Sequence, residues 1–268
     1  MTDFTGAMTD LPERDPARDT APSEHLPLTG ERTVPGIAEE NYWFRRHEIV
    51  YLDLLARCTG KVVVDAGFGE GYGAALLADA ADRVIGLDYD QQAAEHAGRR
   101  YPAITPVRSN LAALPLADDS VDVVVNFQVI EHLWDQLQFI KECHRVLRPG
   151  GELLISTPNR ITFSPGRETP LNPFHTRELS ASELAELLSD GGFDLTTMTG
   201  VHHGGRLKEL DTRYGGSLID EQLKYAVAGT PWPEALSADV AGVTADDFVL
   251  LEADIDASLD LVAIAVKG

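Results

Sequence analysis

Four glycines at every second position, directly after a short β-branched run, constrain this chain more than any other feature of its sequence. The run Lys-Val-Val-Val-Asp-Ala occupies residues 61–66, and Gly67, Gly69, Gly71 and Gly73 follow it. A short apolar run bounded by turn signals predicts a buried parallel strand. Glycine removes the side chain that would hold a ligand away from the backbone, and it permits a positive φ at a sharp turn. The pattern therefore predicts a nucleotide-like ligand at a strand-to-helix turn.

The acidic residue before the glycines separates two classes of nucleotide site. A dinucleotide-binding turn has a third glycine, and Tyr72 occupies that position when the pattern starts at Gly67. Asp65, two positions before Gly67, instead resembles motif I of the class I S-adenosylmethionine (SAM) methyltransferases. The resemblance implies that the loop lies under the amino-acid and ribose part of SAM and that Asp65 reaches the ammonium group of SAM, directly or through water. A nicotinamide oxidoreductase remains an alternative.

The composition favours one acidic α/β domain. The chain has 268 residues, with 22 basic and 43 acidic side chains and a net charge of −21. So negative a surface repels phosphodiester backbones, which disfavours nucleic acid and anionic membrane as partners. The two cysteines, Cys58 and Cys143, are in no metal-binding spacing and fit a reducing cytoplasm. No apolar run reaches membrane-spanning length. A homodimer is one option for the assembly.

The first residues differ in composition from the rest. Residues 1–27 are rich in Pro, Asp, Thr and Arg and hold few large apolar groups, which predicts a disordered leader. Residues 28–268 are then a single domain. Two stretches of this domain, about 158–180 and 202–247, lack clear periodicity, and we expect them to form lid or acceptor segments.

Strand-like and helix-like patterns alternate through the remaining domain, which predicts a parallel sheet covered on both faces. The predicted strands lie near 61–66, 83–88, 104–108, 121–127 and 150–157, and the predicted helices near 38–58, 71–80, 91–100, 133–147 and 180–190. Apolar residues between 247 and 267 predict a closing β-hairpin. The resemblance implies a Rossmann-like methyltransferase fold, a doubly wound, seven-stranded, mostly parallel sheet with an antiparallel last strand and lid insertions.

The resemblance also assigns a cofactor site along the strand ends. Asp88 ends the second strand, where a carboxylate can accept both hydroxyls of a ribose. Asn110 stands where the family usually has an acidic residue against the adenine amino group. The full set of candidate SAM-binding residues is Asp65, Gly67, Gly69, Gly71, Asp88, Tyr89, Asn110, Leu111, Asn126, Phe127 and Gln128.

Three further side chains are candidates for the reaction itself. Glu131 and His132 follow the fourth strand, and His175 lies in the first irregular stretch. Strand carboxyl ends gather at the ligand crevice of such a sheet, so these groups can converge there. Histidine suits the removal of a proton from a hydroxyl, with His132 the first choice and His175 the second. In some resembling O-methyltransferases the corresponding group binds a divalent ion. Mg²⁺ held by Glu131, His132 and His175 is therefore an alternative to a simple base, although Gln128 replaces one expected Glu.

A wider set of motifs concerns the acceptor. Gly30–Pro35, Thr157–Arg160 and Asn172–Leu179, together with the glycine motif, resemble bacterial methyltransferases of glycan assembly, among them actinobacterial enzymes that methylate intracellular polysaccharides. The resemblance implies a sugar hydroxyl as the acceptor. Side chains that would suit a sugar are Arg177, Arg206, Tyr214 and Trp232. A small-molecule O- or C-methyltransferase acting on a quinone or polyketide, and a non-catalytic SAM-binding module, remain alternatives.

Overall fold

The computed structural model describes Leu26 and residues 32–268. The helices are α1 Asn41–Leu54, α2 Tyr72–Ala78, α3 Gln91–Arg100, α4 Gln136–Val146, α5 Arg160–Phe163, α6 Ala181–Asp190, α7 Gly205–Arg213, α8 Leu218–Ala228 and α9 Glu234–Ala241. The strands are β1 Val62–Ala66, β2 Arg83–Asp88, β3 Ile104–Arg108, β4 Val121–Phe127, β5 Leu147–Pro158, β6 Phe193–His203, β7 Phe248–Leu251 and β8 Asp260–Lys267. None of the helices within this described part has the length and apolar character needed to cross a bilayer. The predicted leader, 1–27, lies outside it except for Leu26, which is buried in the core.

The strands form one mixed sheet in the order β3-β2-β1-β4-β5-β8-β6-β7. The first five are parallel neighbours, and β8 runs antiparallel to β5. The predicted strands from β1 to β5, the mostly parallel sheet and the antiparallel last strand are therefore confirmed.

Two details of the predicted sheet were wrong. The described part of the chain has eight strands rather than seven, because the Thr-rich stretch Phe193–His203 forms β6. The closing hairpin does not form either, since β7 and β8 each pair with β6 and not with each other. The sequence of β6 alternates weakly: most of its side chains are at least partly exposed, so its hydrophobic pattern carries little strand signal.

The sheet separates two apolar layers. Val63, Val123 and Val125 face the layer that contains α1, α2 and α3, whereas Val64 and Val124 face the layer that contains α4 and α6. Successive side chains of a strand point to opposite faces, so a run of valines fills both layers at once. Burial on both sides places the loops at the strand carboxyl ends on a rigid base.

The stretch predicted to be irregular after residue 202 contains three helices, α7, α8 and α9. Their buried residues, including Leu207, Leu218 and Leu236, extend the same apolar layer as α1. Asn41 at the start of α1 donates hydrogen bonds to the carbonyls of Val240, Ala241 and Val243. Asn41 thus ties α9 and the turn after it to α1.

A buried ion pair ties α1 to the sheet. Arg46 donates from Nε and Nη2 to the two carboxylate oxygens of Asp260 at 2.6 and 2.5 Å, and Nη2 also reaches the Leu259 carbonyl at 2.9 Å. Both side chains are almost fully buried. Two parallel bonds between a planar guanidinium and a carboxylate fix the relative orientation of the two elements. The pair therefore sets how α1 lies over the carboxyl ends of the strands.

We expect Asp260→Asn to lower the free energy of unfolding by about 3–5 kcal/mol, because it leaves the Arg46 guanidinium buried without its counter-charge. Urea denaturation measures the loss. The matched control is Glu221→Gln, which removes the exposed pair with Lys224 and should cost far less, because solvent screens an exposed ion pair. The double variant Arg46→Met/Asp260→Leu should recover much of the loss. Equal costs for Asp260→Asn and Glu221→Gln would contradict this account.

Candidate active site

A cavity of about 870 Å³ opens at the carboxyl ends of β1, β2 and β4. Ten of the predicted site residues line it, namely Gly67, Gly69, Asp88, Tyr89, Asn110, Leu111, Phe127, Gln128, His132 and His175. The other four, Asp65, Gly71, Asn126 and Glu131, are buried and are not among the lining residues. The volume is near the upper end of the roughly 300–1,000 Å³ typical of ligand pockets. It therefore leaves room for two ligands side by side.

The glycine loop follows a left-handed path that packing against its neighbours enforces. Gly67 and Gly71 have φ values of +91° and +103°. A Cβ on Gly67 would lie 2.5 Å from a methyl group of Val129, and one on Gly71 would lie 3.0 Å from the ring of Tyr101. Glycine is needed at these two positions because neither the backbone conformation nor the space accepts a side chain.

Glu70 anchors the middle of this loop to α3. Its buried carboxylate contacts His96 Nε2 at 2.6 Å and accepts a hydrogen bond from the Tyr101 hydroxyl at 2.7 Å. The Gly67 amide donates to the Leu87 carbonyl at 2.7 Å. The loop is thus held from both sides in a single conformation.

Asp88 connects the loop to the end of β2. Its two oxygens accept hydrogen bonds from the amides of Gly69 and Asp90, both at 2.9 Å. Arg32 pairs with Asp90 at 2.8 Å and lines the same side of the cavity. Burial raises the pKa of Asp88, while the two amides and Arg32 act in the opposite direction. Each carboxylate oxygen keeps a second lone pair, so Asp88 can still accept from a diol.

Asp65 is a buried carboxylate whose negative charge is not compensated. It is fully buried, and neither oxygen accepts a hydrogen bond of ordinary geometry among the described residues, although the nearby Tyr51 hydroxyl favours its ionised form. Burial and the nearby Asp88 raise its pKa to about 7. The side-chain oxygen of Asn126, also fully buried, lacks a partner in the same part of the structure. Buried acceptors of this kind are costly unless a donor or a cation reaches them.

One wall of the cavity includes His47 and Tyr51 of α1, which the sequence analysis did not identify as site residues. Thr33 Oγ1 lies 3.3 Å from the Tyr72 hydroxyl and 3.5 Å from His47 Nδ1. Burial lowers the pKa of His47 to about 4, so it is neutral near pH 7. Tyr51 packs edge-on against Phe127 at 4.7 Å. His47 and Tyr51 are four residues apart on α1, a spacing that puts them on one helical face and could have drawn attention to them.

The predicted reacting groups do converge. Ligand atoms of Glu131, His132 and His175 all lie within 4.8 Å of one another, and the two imidazole rings meet edge-on at 4.9 Å. Nδ1 of His132 lies 3.0 Å from the Phe174 carbonyl. A carbonyl can only accept, so this nitrogen carries the proton and Nε2 is the basic nitrogen of neutral His132.

His175 and Glu131 are each held by a further side chain. Nδ1 of His175 lies 2.7 Å from the buried carboxylate of Glu178, and its Nε2 lies 3.1 Å from the Asn172 amide nitrogen. Glu131 accepts from the Thr157 hydroxyl at 3.0 Å, and burial raises its pKa to about 7. The sequence analysis did not identify Glu178 as a partner of His175. Its position three residues after His175 is the one available signal.

Hydrogen bonds join the loop after β4 to the segment that carries His175. Thr176 donates from its amide to the Glu131 carbonyl at 2.7 Å and from its hydroxyl to the Leu133 carbonyl at 2.7 Å. Gln128 has a positive φ of +58° at the start of this loop. Non-glycine residues in this conformation persist where the surroundings impose it, and they cluster at functional sites. The two segments therefore form one rigid wall.

The side chains proposed for a sugar acceptor lie elsewhere. Arg177, Arg206, Tyr214 and Trp232 are absent from the cavity lining in the described structure. Arg206 pairs with Asp247, and Tyr214 donates to Asp239 at 2.7 Å. Residues 202–247 contribute no lining group at all among those described, so this cavity is not covered by them.

Comparisons with known proteins agree with this site. Residues 64–155 match a family model described as a methyltransferase domain. A relative from Mycolicibacterium smegmatis, named as a probable S-adenosylmethionine-dependent methyltransferase, is 65% identical over 93% of this chain and 98% of its own length. The chain belongs to the SAM-dependent methyltransferases. A Mycobacterium tuberculosis relative with a similar name is 59% identical over 94% of this chain and 93% of its own length.

A solved structure extends the agreement to the fold. A SAM-dependent methyltransferase from Thermotoga maritima superposes with a TM-score of 0.57, at 20% identity, over 84% of this chain and 93% of that one. Its sheet and this one share the Rossmann-like methyltransferase architecture. Because the chain belongs to the SAM-dependent methyltransferases, its cofactor is SAM.

The described residues fit SAM. The oxygens of Asp65 and the side-chain oxygen of Asn126 are buried acceptors without a hydrogen bond of ordinary geometry in the described structure, as expected beside a ligand that brings an ammonium group. The backbone of Gly67 and Gly69 borders the cavity and presents no side chain to it. Asp88 supplies a carboxylate for a ribose, and Phe127 supplies an aromatic ring of the kind that attracts cations.

The methyltransferase should tolerate Gly67→Ala poorly. We expect a loss of about 1–3 kcal/mol or more in the free energy of unfolding, because the new methyl group adds contact with Val129 to the strain of a positive φ. The control is Gly60→Ala, where φ is +68° but no heavy atom of the described chain lies within 4 Å, so strain acts alone. The double variant Gly67→Ala/Val129→Ala should recover the contact part. Denaturation and calorimetric S-adenosylhomocysteine binding measure both effects, and equal losses for Gly67→Ala and Gly60→Ala would contradict the packing argument.

Asp65 should make cofactor affinity depend on pH. Its raised pKa means that the ligand-free carboxyl holds a proton below about pH 7, and an ammonium ligand favours the ionised form. Affinity should therefore rise from pH 5.5 to 8, with about one proton released per S-adenosylhomocysteine near pH 6. Calorimetry in buffers of different ionisation enthalpy counts this proton.

The same carboxyl affects stability in the opposite direction. Between the ordinary pKa near 4 and the raised value near 7, the carboxyl keeps its proton in the ligand-free folded protein but loses it in the unfolded chain. The free energy of unfolding therefore falls as pH rises through this range. In Asp65→Asn both pH dependences should flatten. An unchanged pH profile in this variant would exclude Asp65 as the group responsible.

Proposed function

We propose that this SAM-dependent methyltransferase methylates a hydroxyl group, most specifically a hydroxyl of a sugar or oligosaccharide. The observation that carries the proposal is the convergence of Glu131, His132 and His175 within 4.8 Å, with both histidines bordering the cofactor cavity. When bound, SAM supplies an electrophilic methyl group on a sulfonium. An aliphatic hydroxyl is a poor nucleophile until its proton is removed, which is the task this cluster suits.

His132 acts as the base in this proposal. The Phe174 carbonyl holds the proton on Nδ1, which leaves Nε2 to accept the proton of the acceptor hydroxyl. The contacts of His175 with Glu178 and Asn172 hold its ring beside that of His132. With Nδ1 facing the Glu178 carboxylate and Nε2 accepting from the Asn172 amide nitrogen, His175 is a positioning residue for His132. The nearby wall positions the acceptor and excludes water.

A divalent ion is an alternative use of the same three groups. Two imidazoles and one carboxylate form a ligand set that suits Mn²⁺, Fe²⁺ or Zn²⁺ better than Mg²⁺, because Mg²⁺ prefers oxygen ligands. Glu131, His132 and His175 would hold the ion, which would lower the pKa of a hydroxyl bound to it.

The sugar acceptor is supported by the motif resemblance and by the character of the cavity. The part of its lining that comes from the loop after β4 and from residues 169–176 includes hydroxyl and amide side chains, Gln128, Thr169, Asn172 and Thr176. Such groups hydrogen-bond sugar hydroxyls. A quinone or polyketide phenol is the second candidate, because Leu133 and Phe174 also line this part.

The test uses methyl-labelled SAM with neutral oligosaccharides and with phenolic acceptors. We expect label in the sugar and a fall of about 10²–10⁴-fold in kcat for His132→Ala, with the affinity for S-adenosylhomocysteine changed less than about twofold. His144→Ala is the matched control, since His144 packs on Phe193 and does not line the cavity. Equal losses of kcat and cofactor affinity in His132→Ala would contradict its role as base.

Further measurements in the same assay identify the class of acceptor and test whether the reaction requires a metal ion. Label that enters only phenolic acceptors would overturn the sugar proposal, and binding without any transfer would favour a non-catalytic module. Activity that survives EDTA supports the base mechanism. A loss on EDTA treatment that Mn²⁺ restores supports the metal.

A further inference from the structure

The loop after β4 exposes a tryptophan at the cavity. Trp134 is 93% exposed and lines the cavity two residues after His132. Among the exposed large apolar residues of the described chain it has the highest exposure. An indole has a large apolar face that is normally at least partly buried, so leaving it in water sacrifices a substantial hydrophobic gain. Exposed aromatic side chains of this kind at the edge of a site often mark a ligand surface.

The fold holds this part of the loop in place. Leu133, just before the tryptophan, donates its amide to the Ile130 carbonyl at 3.1 Å and accepts from the Thr176 hydroxyl at 2.7 Å. Asp135, just after it, caps α4 by accepting from the Gln138 amide at 2.9 Å. Trp134 thus projects from a backbone anchored on both sides. A rigid backbone reduces the conformational entropy that is lost when a ligand stacks on the Trp134 ring.

A second ring borders the same cavity from the opposing segment. Phe174 is 43% exposed and lines the cavity, and its carbonyl is the one that orients His132. Its amide is fixed by the side chain of Asn172 at 3.0 Å. The backbone that sets the candidate base therefore also presents an apolar ring to the acceptor.

We propose that Trp134 and Phe174 form a stacking platform for a neutral oligosaccharide chain, with one sugar unit at His132 and a following unit on Trp134. The inference rests on the proposed function and names its substrate class. Sugar rings have an apolar C–H face that stacks on an aromatic ring and a polar rim of hydroxyls. The hydroxyl and amide groups of Thr169, Asn172 and Thr176, which share this lining, match that rim.

The exposure of Trp134 and the net charge of the protein favour one class of acceptor. A compact phenol buries most of its surface when bound. The Trp134 ring, which is 93% exposed, offers no enclosed space for such burial. A ligand that contacts both His132 and Trp134 extends from the cavity into solvent, as a chain end does. The net charge of −21 disfavours an anionic polymer. A neutral glycan chain meets all three conditions.

The test compares acceptor length in matched variants. The acceptors are neutral gluco- and manno-oligosaccharides of one to eight units, with labelled SAM. In the wild type, kcat/KM should rise with chain length. In Trp134→Ala the KM for longer chains should increase about tenfold, and kcat/KM should no longer rise with chain length. Trp134→Phe should retain most of the length dependence. Val227→Ala removes another highly exposed apolar side chain, on α8 and outside the cavity lining, and should change nothing.

A binding measurement checks the platform without turnover. The chain has three tryptophans, so shielding of an exposed one is detectable by acrylamide quenching of fluorescence. Longer oligosaccharides added to the S-adenosylhomocysteine complex should reduce quenching, and Trp134→Phe should abolish the change.

The outcomes separate the two proposals. Length-dependent methylation that persists unchanged in Trp134→Ala would overturn the platform and leave the sugar acceptor standing. Equal kcat/KM for monosaccharide and longer chains in the wild type would also overturn it. Label that enters phenols but no neutral sugar would overturn the proposed acceptor and the platform together.

Discussion

The whole site depends on the left-handed backbone between β1 and α2. Gly67 lies against Val129 of the β4 loop, Gly71 against Tyr101 beyond α3, and a Cβ at Gly73 would lie 2.1 Å from Tyr51 of α1. Three elements that are distant in sequence therefore close onto one turn at positions where only glycine fits. Their packing brings the end of β2, the end of β4 and the face of α1 to one cavity. The site for SAM and the site for the acceptor share this single structural origin.

The acceptor side is built on main-chain hydrogen bonds rather than on packing alone. The Glu131 and Leu133 carbonyls accept from Thr176, and the Phe174 carbonyl accepts from His132. Because a carbonyl cannot donate, the backbone chooses which imidazole nitrogen is basic. The segment that carries Phe174 thus selects the tautomer of His132 and borders the path of the acceptor. In the proposed reaction, the same few residues therefore orient the base and contact the acceptor.

The sequence predicted β1, β2 and β4 well because their valine-, isoleucine- and leucine-containing runs are buried on both faces, where local composition and tertiary packing agree. It failed for β6, whose Thr-rich surface gives little periodicity, and for the hairpin, since pairing partners are chosen by the whole sheet. It also placed Arg206, Tyr214 and Trp232 near the acceptor, whereas none of the three lines the cavity in the described structure, and α9 is tied to α1 through Asn41. The lid role of 158–180 stays a prediction, although Thr169 to Thr176 border the cavity.

By itself the sequence determined the glycine turn, the carboxylates Asp65 and Asp88 beside it, and the Glu131-His132 pair after β4, because each is a local pattern with a local physical cause. Only the tertiary structure decided that Asp65 is fully buried without a cationic neighbour among the described residues, that His47 and Tyr51 line the cofactor cavity, and that Trp134 is exposed at its border. Burial and exposure are properties of contacts between distant segments. Burial and exposure therefore cannot be predicted from neighbouring residues in the sequence, since the free energy of a side chain depends on what the fold places around it.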